Sequence, residues 1–216
     1  MKAYDNSFHG PFASVSSLVL ASGSPRRKQL LSEAGLNFTV HTSDMDEPQP
    51  LPHEKPRDYA ERMALLKTRD VAHEHPQSAV IGADTIVVLD EQIMGKPTSQ
   101  KDALDMLEAL SGNTHHVITG CCLMLPTVPS PVLFSAKTDV MMRKSKQEEL
   151  MAYIASGEPM DKAGAYAIQG IGGFMVREIH GSYSNVVGLP VAEVLDSLLK
   201  AGIVQPNMDL PPHTKE

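Results

Sequence analysis

Short apolar runs and amphipathic stretches alternate along the chain. The run at 18–21 predicts a strand, the spacing of Leu30, Leu31 and Ala34 predicts a helix over 25–34, and 38–42 predicts a second strand. Ala60, Met63, Ala64 and Val71 form the apolar stripe of a helix over about 57–74. Residues 79–89 then read as one long strand, apolar except at Asp84 and Thr85 in its middle. Asp90-Glu91 turns the chain, and 92–95 returns as a short hairpin partner. Ser99 and Asp102 make a capping box for a helix through Leu110, and Ser145 and Glu148 make another for a helix through Ile154. Between these helices, 117–125 and 132–142 read as antiparallel strands joined loosely by the proline-bearing 126–131. A strand over 174–179 and a helix over 192–201 complete the pattern. This order predicts an α/β protein with a mixed sheet flanked by helices.

At 216 residues, 42% hydrophobic and 21% charged, the chain has the make-up of a globular protein able to bury one sizeable core. We divide it into a flexible N-terminal extension at 1–17, a single α/β domain at 18–204 and a disordered polar tail at 205–216. No apolar run is long enough to span a bilayer, and the first 17 residues lack the apolar core of a secretory signal. The two cysteines, Cys121 and Cys122, are adjacent within a strand pattern, so they point to opposite faces and suit a reducing cytoplasm. A net charge of -7 argues against stable nucleic-acid binding, which needs an extended basic surface. An anionic ligand must therefore meet a local cationic pocket.

Such a pocket is outlined at 22–27, Ser-Gly-Ser-Pro-Arg-Arg, where the first strand gives way to the first helix. Ser24 suits the N-cap and Pro25 the first helical position, where a missing N–H costs nothing. Gly23 admits an anion closely, and Arg26 and Arg27 add two permanent charges to the free donors of the helix start. A capped helix with two solvated arginines fits these residues equally well.

Asp84 poses a sharper question, because a carboxylate inside an apolar strand needs a cation, a metal or a water-filled cleft. A structural salt bridge would satisfy it too. Lys67 shares the inward stripe of its helix, where it either snorkels out or turns its charge inside. Lys96 sits in the short Gly95-Lys96-Pro97 turn. Glu47, with Asp44 and Asp46, forms an acidic cluster that is either a solvated loop or a source of the hard oxygens Mg²⁺ and Mn²⁺ prefer. The histidines lack zinc-hydrolase spacing, and the glycines at 170–173 follow a helical stretch rather than a strand, so they form no dinucleotide fingerprint.

Taken in order, Ala21-Ser-Gly-Ser-Pro-Arg-Arg27, Gly82-Ala-Asp-Thr85, Lys96-Pro97, Asp161-Lys-Ala-Gly-Ala-Tyr166 with Ile168-Gln-Gly170, and Gly181-Ser-Tyr183 with Val186-Val-Gly-Leu-Pro190 resemble the Maf-like nucleoside triphosphate pyrophosphatases over 18–200. Ala167 stands where that family commonly has glycine. The resemblance implies two lobes around a central cleft in a fold related to the inosine triphosphatase group. It also implies hydrolysis of a nucleoside triphosphate to monophosphate and pyrophosphate, and a homodimer. By motif position Asp84 resembles the proton acceptor, while Glu47, Lys67 and Lys96 match charged positions of the cleft. Arg26, Thr85 and Gln169 match positions tied to base preference, with glutamine at 169 resembling the dTTP and UTP branch.

Chemically, water must attack the α-phosphorus in line as pyrophosphate departs. We assign Ser22, Ser24, Arg26 and Arg27 to the triphosphate, Lys67 and Lys96 to the leaving group and Asp84 to water activation. A divalent cation (Mg²⁺, Mn²⁺ or Co²⁺) would be held by Glu47 and Asp84. One rival is a noncatalytic regulator of septum formation that binds nucleotide or nucleic acid; another is a sugar-phosphate phosphatase, which would have no use for a base-reading Gln169.

Overall fold

The computed structural model describes residues 3–4, 10–126 and 128–208. Its main sheet has eight strands: β1 (Ala3–Tyr4), β3 (Leu18–Leu20), β4 (Phe38–Val40), β5 (Ala79–Leu89), β6 (Gln92–Met94), β7 (Thr114–Leu125), β8 (Val128–Met142) and β9 (Val176–His180). They lie in the order β1-β4-β3-β5-β7-β8-β9, with β6 also on β5. β3 runs parallel to β4 and β5, and the other pairs are antiparallel, so the sheet is mixed as expected. The helices are α1 (Pro25–Glu33), α2 (Pro56–Glu74), α3 (Gln100–Leu110), α4 (Gln147–Ala155), α5 (Tyr183–Val187) and α6 (Val191–Lys200), with short 3₁₀ turns at Glu158–Asp161, Ala163–Ala165 and Ile171–Met175.

Strand register opens the site. β3 pairs with 79–81 of β5 and β6 pairs with 87–89, so on that edge residues 82–86 have no neighbouring strand among the described residues. The chain leaves β3 toward β4 and crosses back through α2 to β5, which makes the end of β3 a topological switch point, where open α/β sheets form their ligand crevice. Asp84 and Thr85 fall in this gap. α2 crosses β5 and β7 with Tyr59, Ala60, Met63, Ala64, Thr68 and Val71 buried. The approach is close because β7 has Gly120 under Ala60, where any Cβ would collide with the α2 backbone.

Two apolar clusters flank the gap. One joins Leu18, Leu20, Leu31, Ile81 and Leu123 to Leu189, Val194 and Leu198, and the other joins Val87, Leu107, Leu110 and Val140 to Leu150, Tyr153 and Tyr166. These are the two lobes on either side of the cleft.

Several boundaries differ from expectation. The extension at 1–17 and the tail from 205 are not unstructured throughout: β2 (Phe12–Ser14) and β10 (Val204–Pro206) pair as a separate two-stranded sheet. Phe12 N–H and Asn207 N–H also bond Ala34 and Pro11 carbonyls, so backbone pairing and packing on the first lobe override the polar composition. The remainder of both segments, at 1–2, 5–9 and 209–216, lies outside the described residues. The loose connection at 126–131 shrinks because β8 begins at Val128. Pro129 and Pro131 are tolerated there since β9 pairs only with 139–142 and leaves that half of β8 as an edge.

The box expected at Ser145 and Glu148 forms one residue later, where Glu149 accepts from Lys146 N–H at 2.7 Å while Ser145 N–H is taken by Ser111 Oγ at 2.8 Å. At α3 half the box forms: Ser99 Oγ accepts from Asp102 N–H at 3.1 Å, but Asp102 turns to Thr98. The strand expected from 174 starts at Val176, because Phe174 and Met175 close the preceding 3₁₀ turn. The cysteines are both buried and free.

Candidate active site

All ten residues singled out from the sequence line one cleft of about 760 Å³: Ser22, Ser24, Arg26, Arg27, Glu47, Lys67, Asp84, Thr85, Lys96 and Gln169. At its centre α2 delivers Lys67 to the β5 gap. The Lys67 ammonium donates to Asp84 Oδ1 at 2.6 Å and pairs with Glu47 Oε1 at 2.7 Å. Its side chain is 16% exposed and that of Asp84 12%, so the partner that a carboxylate in an apolar strand requires is this lysine, turned inward rather than snorkelling.

Burial works against the Lys67 charge, but the charge and hydrogen bond of Asp84, reinforced by Glu47, outweigh it and hold the pKa above the usual lysine value. Burial likewise opposes the Glu47 charge, and the Lys67 hydrogen bond and charge, with Lys96 and Arg27 behind, hold that carboxyl below its ordinary value. Lys96 is exposed in the loop after β6.

The start of α1 forms the second wall. Ser24 is the N-cap with Pro25 next, as expected, and its Oγ accepts from Arg27 N–H at 3.4 Å. Ser24 N–H donates to Ser22 Oγ at 3.3 Å. Two of the early backbone donors are thus satisfied internally and Pro25 has none. The Arg27 guanidinium is also engaged: Nε donates to the Gly188 carbonyl at 2.8 Å, Nη1 to Ser22 Oγ at 3.1 Å and Nη2 to Thr85 Oγ1 at 3.0 Å. Enclosure lowers its pKa, with Asp84 the largest opposing influence.

Arg27 therefore ties α1 to β5 and to the end of α5, while Arg26 lines the cleft beside it. Thr85 Oγ1 lies within 3.0 Å of Thr119 Oγ1 and donates to Gly188 O at 3.2 Å. Beneath them Asn185, fully buried, donates to Val117 O and Thr138 Oγ1 and anchors α5.

The third wall is the segment after α4. Gln169 Nε2 donates to Gln29 Oε1 at 3.3 Å, and its Oε1 is buried with no partner among the described residues. Ala167 is buried and not in the left-handed region, so alanine is accommodated there without strain.

Sequence reasoning gave no role to Asp161, Lys162, Tyr59 or Tyr166, which also line the cleft. Lys162 pairs with Asp161, and Tyr166 Oη lies 2.7 Å from Nε2 of the buried His115. Asp161, Lys162 and Tyr166 stand in a quoted motif and were findable; the Gly188 carbonyl, a backbone group, had no side-chain signal.

A mixed sheet opened at a switch point, with lysine-bridged carboxylates facing a capped arginine-bearing helix start, defines an α/β protein built to take an anionic, phosphate-bearing ligand. Comparison with known proteins narrows that class. A family model described as Maf-like protein matches residues 17–201, and the chain belongs to that family. It is 50% identical over 199 residues to the dTTP/UTP pyrophosphatase of Oleidesulfovibrio alaskensis, covering 92% of this chain and 91% of that protein. It is 49% identical to the dTTP/UTP pyrophosphatase of Nitratidesulfovibrio vulgaris, covering 90% and 92%. Among solved structures the Staphylococcus aureus Ham1 protein aligns at 14% identity and a TM-score of 0.47, covering 86% of this chain and 99% of that one, a likeness too low to bear on the fold. Among the described residues no helix is long and apolar enough to cross a membrane.

Proposed function

We infer that this chain is a nucleoside triphosphate pyrophosphatase that hydrolyses dTTP and UTP, with modified pyrimidine triphosphates as a further substrate class, to the monophosphate and pyrophosphate. The observation that carries this reading is the Glu47–Lys67–Asp84 bridge in the uncovered stretch of β5, opposite the start of α1. Water attacks the α-phosphorus, the bond from that phosphorus to the α–β bridging oxygen breaks, and pyrophosphate leaves with the bridging oxygen. Asp84 orients the water and receives its proton. Lys67 and Lys96 offset charge on the leaving group. Arg26 grips the triphosphate; Arg27 acts mainly by fixing the wall that Arg26 and Ser22 belong to.

Glu47 and Asp84 supply hard oxygens that touch one ammonium and so lie close enough together for one divalent cation. No third His, Cys, Asp or Glu joins them among the described residues, so the remaining ligands would be phosphate oxygens and water. When bound, Mg²⁺, Mn²⁺ or Co²⁺ would supply charge neutralisation for the phosphates.

Gln169 serves as the base reader, since it lines the cleft and its amide, turned toward a bound base, matches the donor and acceptor edge of uracil or thymine. A noncatalytic regulator would have no use for two carboxylates set into the cleft around a single lysine. We place the protein in the cytoplasm, as its unbridged cysteines suit, and as a homodimer, which light scattering of the purified chain tests. The reaction is tested with dTTP, UTP, CTP and GTP, each with Mg²⁺, Mn²⁺ and Co²⁺. Pyrophosphate as the product supports the reading; orthophosphate with a nucleoside diphosphate refutes it.

A further inference from the structure

Glu158 lies outside the cleft, at the head of the segment that carries Gln169, and three donors converge on its carboxylate. Ile171 N–H donates to Oε1 at 3.0 Å, while Gly172 N–H and the Tyr153 hydroxyl each donate to Oε2 at 2.8 Å. Burial of Glu158 opposes its charge, but the bonds from Gly172, Tyr153 and Ile171, with the charge of Lys162, hold the carboxyl below its ordinary pKa. Tyr153 is itself 2% exposed and packed in the second lobe, so the clamp is anchored to the core.

The glycine-rich stretch at 170–173, which forms no dinucleotide loop, finds its reason here. A Cβ on Gly170 would collide with Glu158 Oε1, and one on Gly172 would stand 2.6 Å from Tyr153 Oη. Gly170 also has φ +129°, a backbone state L side chains avoid. Glycine thus lets the peptides close onto the carboxylate. Gln169 immediately precedes this clamped turn, and the outward tie of its own side chain is a 3.3 Å bond to an exposed residue, Gln29.

We propose that Glu158 is the positioning residue of the base-reading wall: its carboxylate fixes the turn at 170–172 and, through it, the amide of Gln169. Base selectivity then depends on a side chain that never touches the nucleotide. The proposal rests on the reading of Gln169 given above. It separates two kinds of binding, because inorganic pyrophosphate has no base and meets only the phosphate wall.

The test is Glu158→Gln in the full chain. Glutamine keeps the shape but has one acceptor oxygen, and its NH₂ faces a donor N–H on the other side. The ratio of kcat/KM for UTP to that for CTP is expected to fall about tenfold, the scale of one hydrogen bond to a charged group. The inhibition constant of inorganic pyrophosphate should stay within about twofold, and amide hydrogen exchange at Ile171 and Gly172 should accelerate. Tyr153→Phe removes one of the three donors, should shift the ratio in the same direction by a smaller factor, and carries the test if Glu158→Gln does not fold. A base-selective wild type whose folded variants keep their ratio, or lose it only in step with pyrophosphate affinity, overturns the proposal alone. A wild type equally active on UTP and CTP overturns the Gln169 reading, and this proposal with it.

Discussion

The two walls that enclose the cleft are built in opposite ways. The phosphate wall, from Ala21 into α1, is assembled from signals a few residues apart: Ser24 caps the helix, Pro25 fits its first position, and Ser22 receives both Ser24 N–H and Arg27. The base wall, from Glu158 through the 3₁₀ turns to Gln169, has no α-helix or strand of its own and is held by Glu158 reaching 13 and 14 positions along the chain. Capping and charge are therefore written locally in the first wall, which Arg27 then ties across the fold to Thr85 and Gly188, whereas the second hangs on the contacts of one carboxylate. Changes to the first should affect every nucleotide alike, and changes to the second should affect the choice among nucleotides.

The largest expected effect belongs to neither wall but to the bridge between them. Asp84→Asn keeps the shape of the strand and should lower kcat by about 10² to 10⁴-fold while nucleotide binding is largely retained. Near-normal turnover in a folded variant would move the water-activating role to Glu47. Next comes Arg27→Lys: one ammonium cannot reproduce three directed bonds to Ser22, Thr85 and Gly188. We expect kcat/KM to drop about 10 to 100-fold for UTP and CTP equally, on the scale of one or two lost charged hydrogen bonds. A drop confined to one base would erase the distinction between the walls.

Gln169→Glu should act in the complementary way. It removes the amide donor and adds a charge, so the preference for UTP over CTP should shrink by about tenfold or more, with pyrophosphate inhibition little changed. Parallel steady-state assays of the four triphosphates decide this.

The smallest effect is on stability. His115 lies under the base wall against Tyr166, and burial, with a lesser contribution from the charge of His116, depresses its pKa to about 4. Folded His115 stays neutral while the unfolded chain takes up a proton near pH 6.5, so stability is lost as pH falls through the window from 6.5 to 4. Urea unfolding across that window should show the wild type losing up to about 3 kcal/mol more than His115→Gln. Parallel profiles would mean that His115 is protonated in the folded protein.

Legibility followed the same division. Ser24, Pro25 and the two arginines could be read because capping is local chemistry, and Asp84 because a carboxylate interrupting an apolar strand is a visible anomaly. The ten residues line one cleft, but the pairings they make did not show in the sequence. Arg27 could be read as a phosphate ligand, whereas its bond to the Gly188 carbonyl depends on the position of α5, a five-residue helix with little periodicity to reveal it. Glu158 gave no signal in the sequence, because two of its three partners are backbone amides. The pairing of β2 with β10 joins opposite ends of the chain through short strands, for which hydrophobic alternation gives almost no signal.

The central claim is that the bridge at Asp84 directs water to the α-phosphorus. Hydrolysis of UTP in ¹⁸O-labelled water tests it most directly, with mass spectrometry of both products. The account predicts one ¹⁸O in the monophosphate and none in the pyrophosphate; label in pyrophosphate, or orthophosphate as the labelled product, would contradict it.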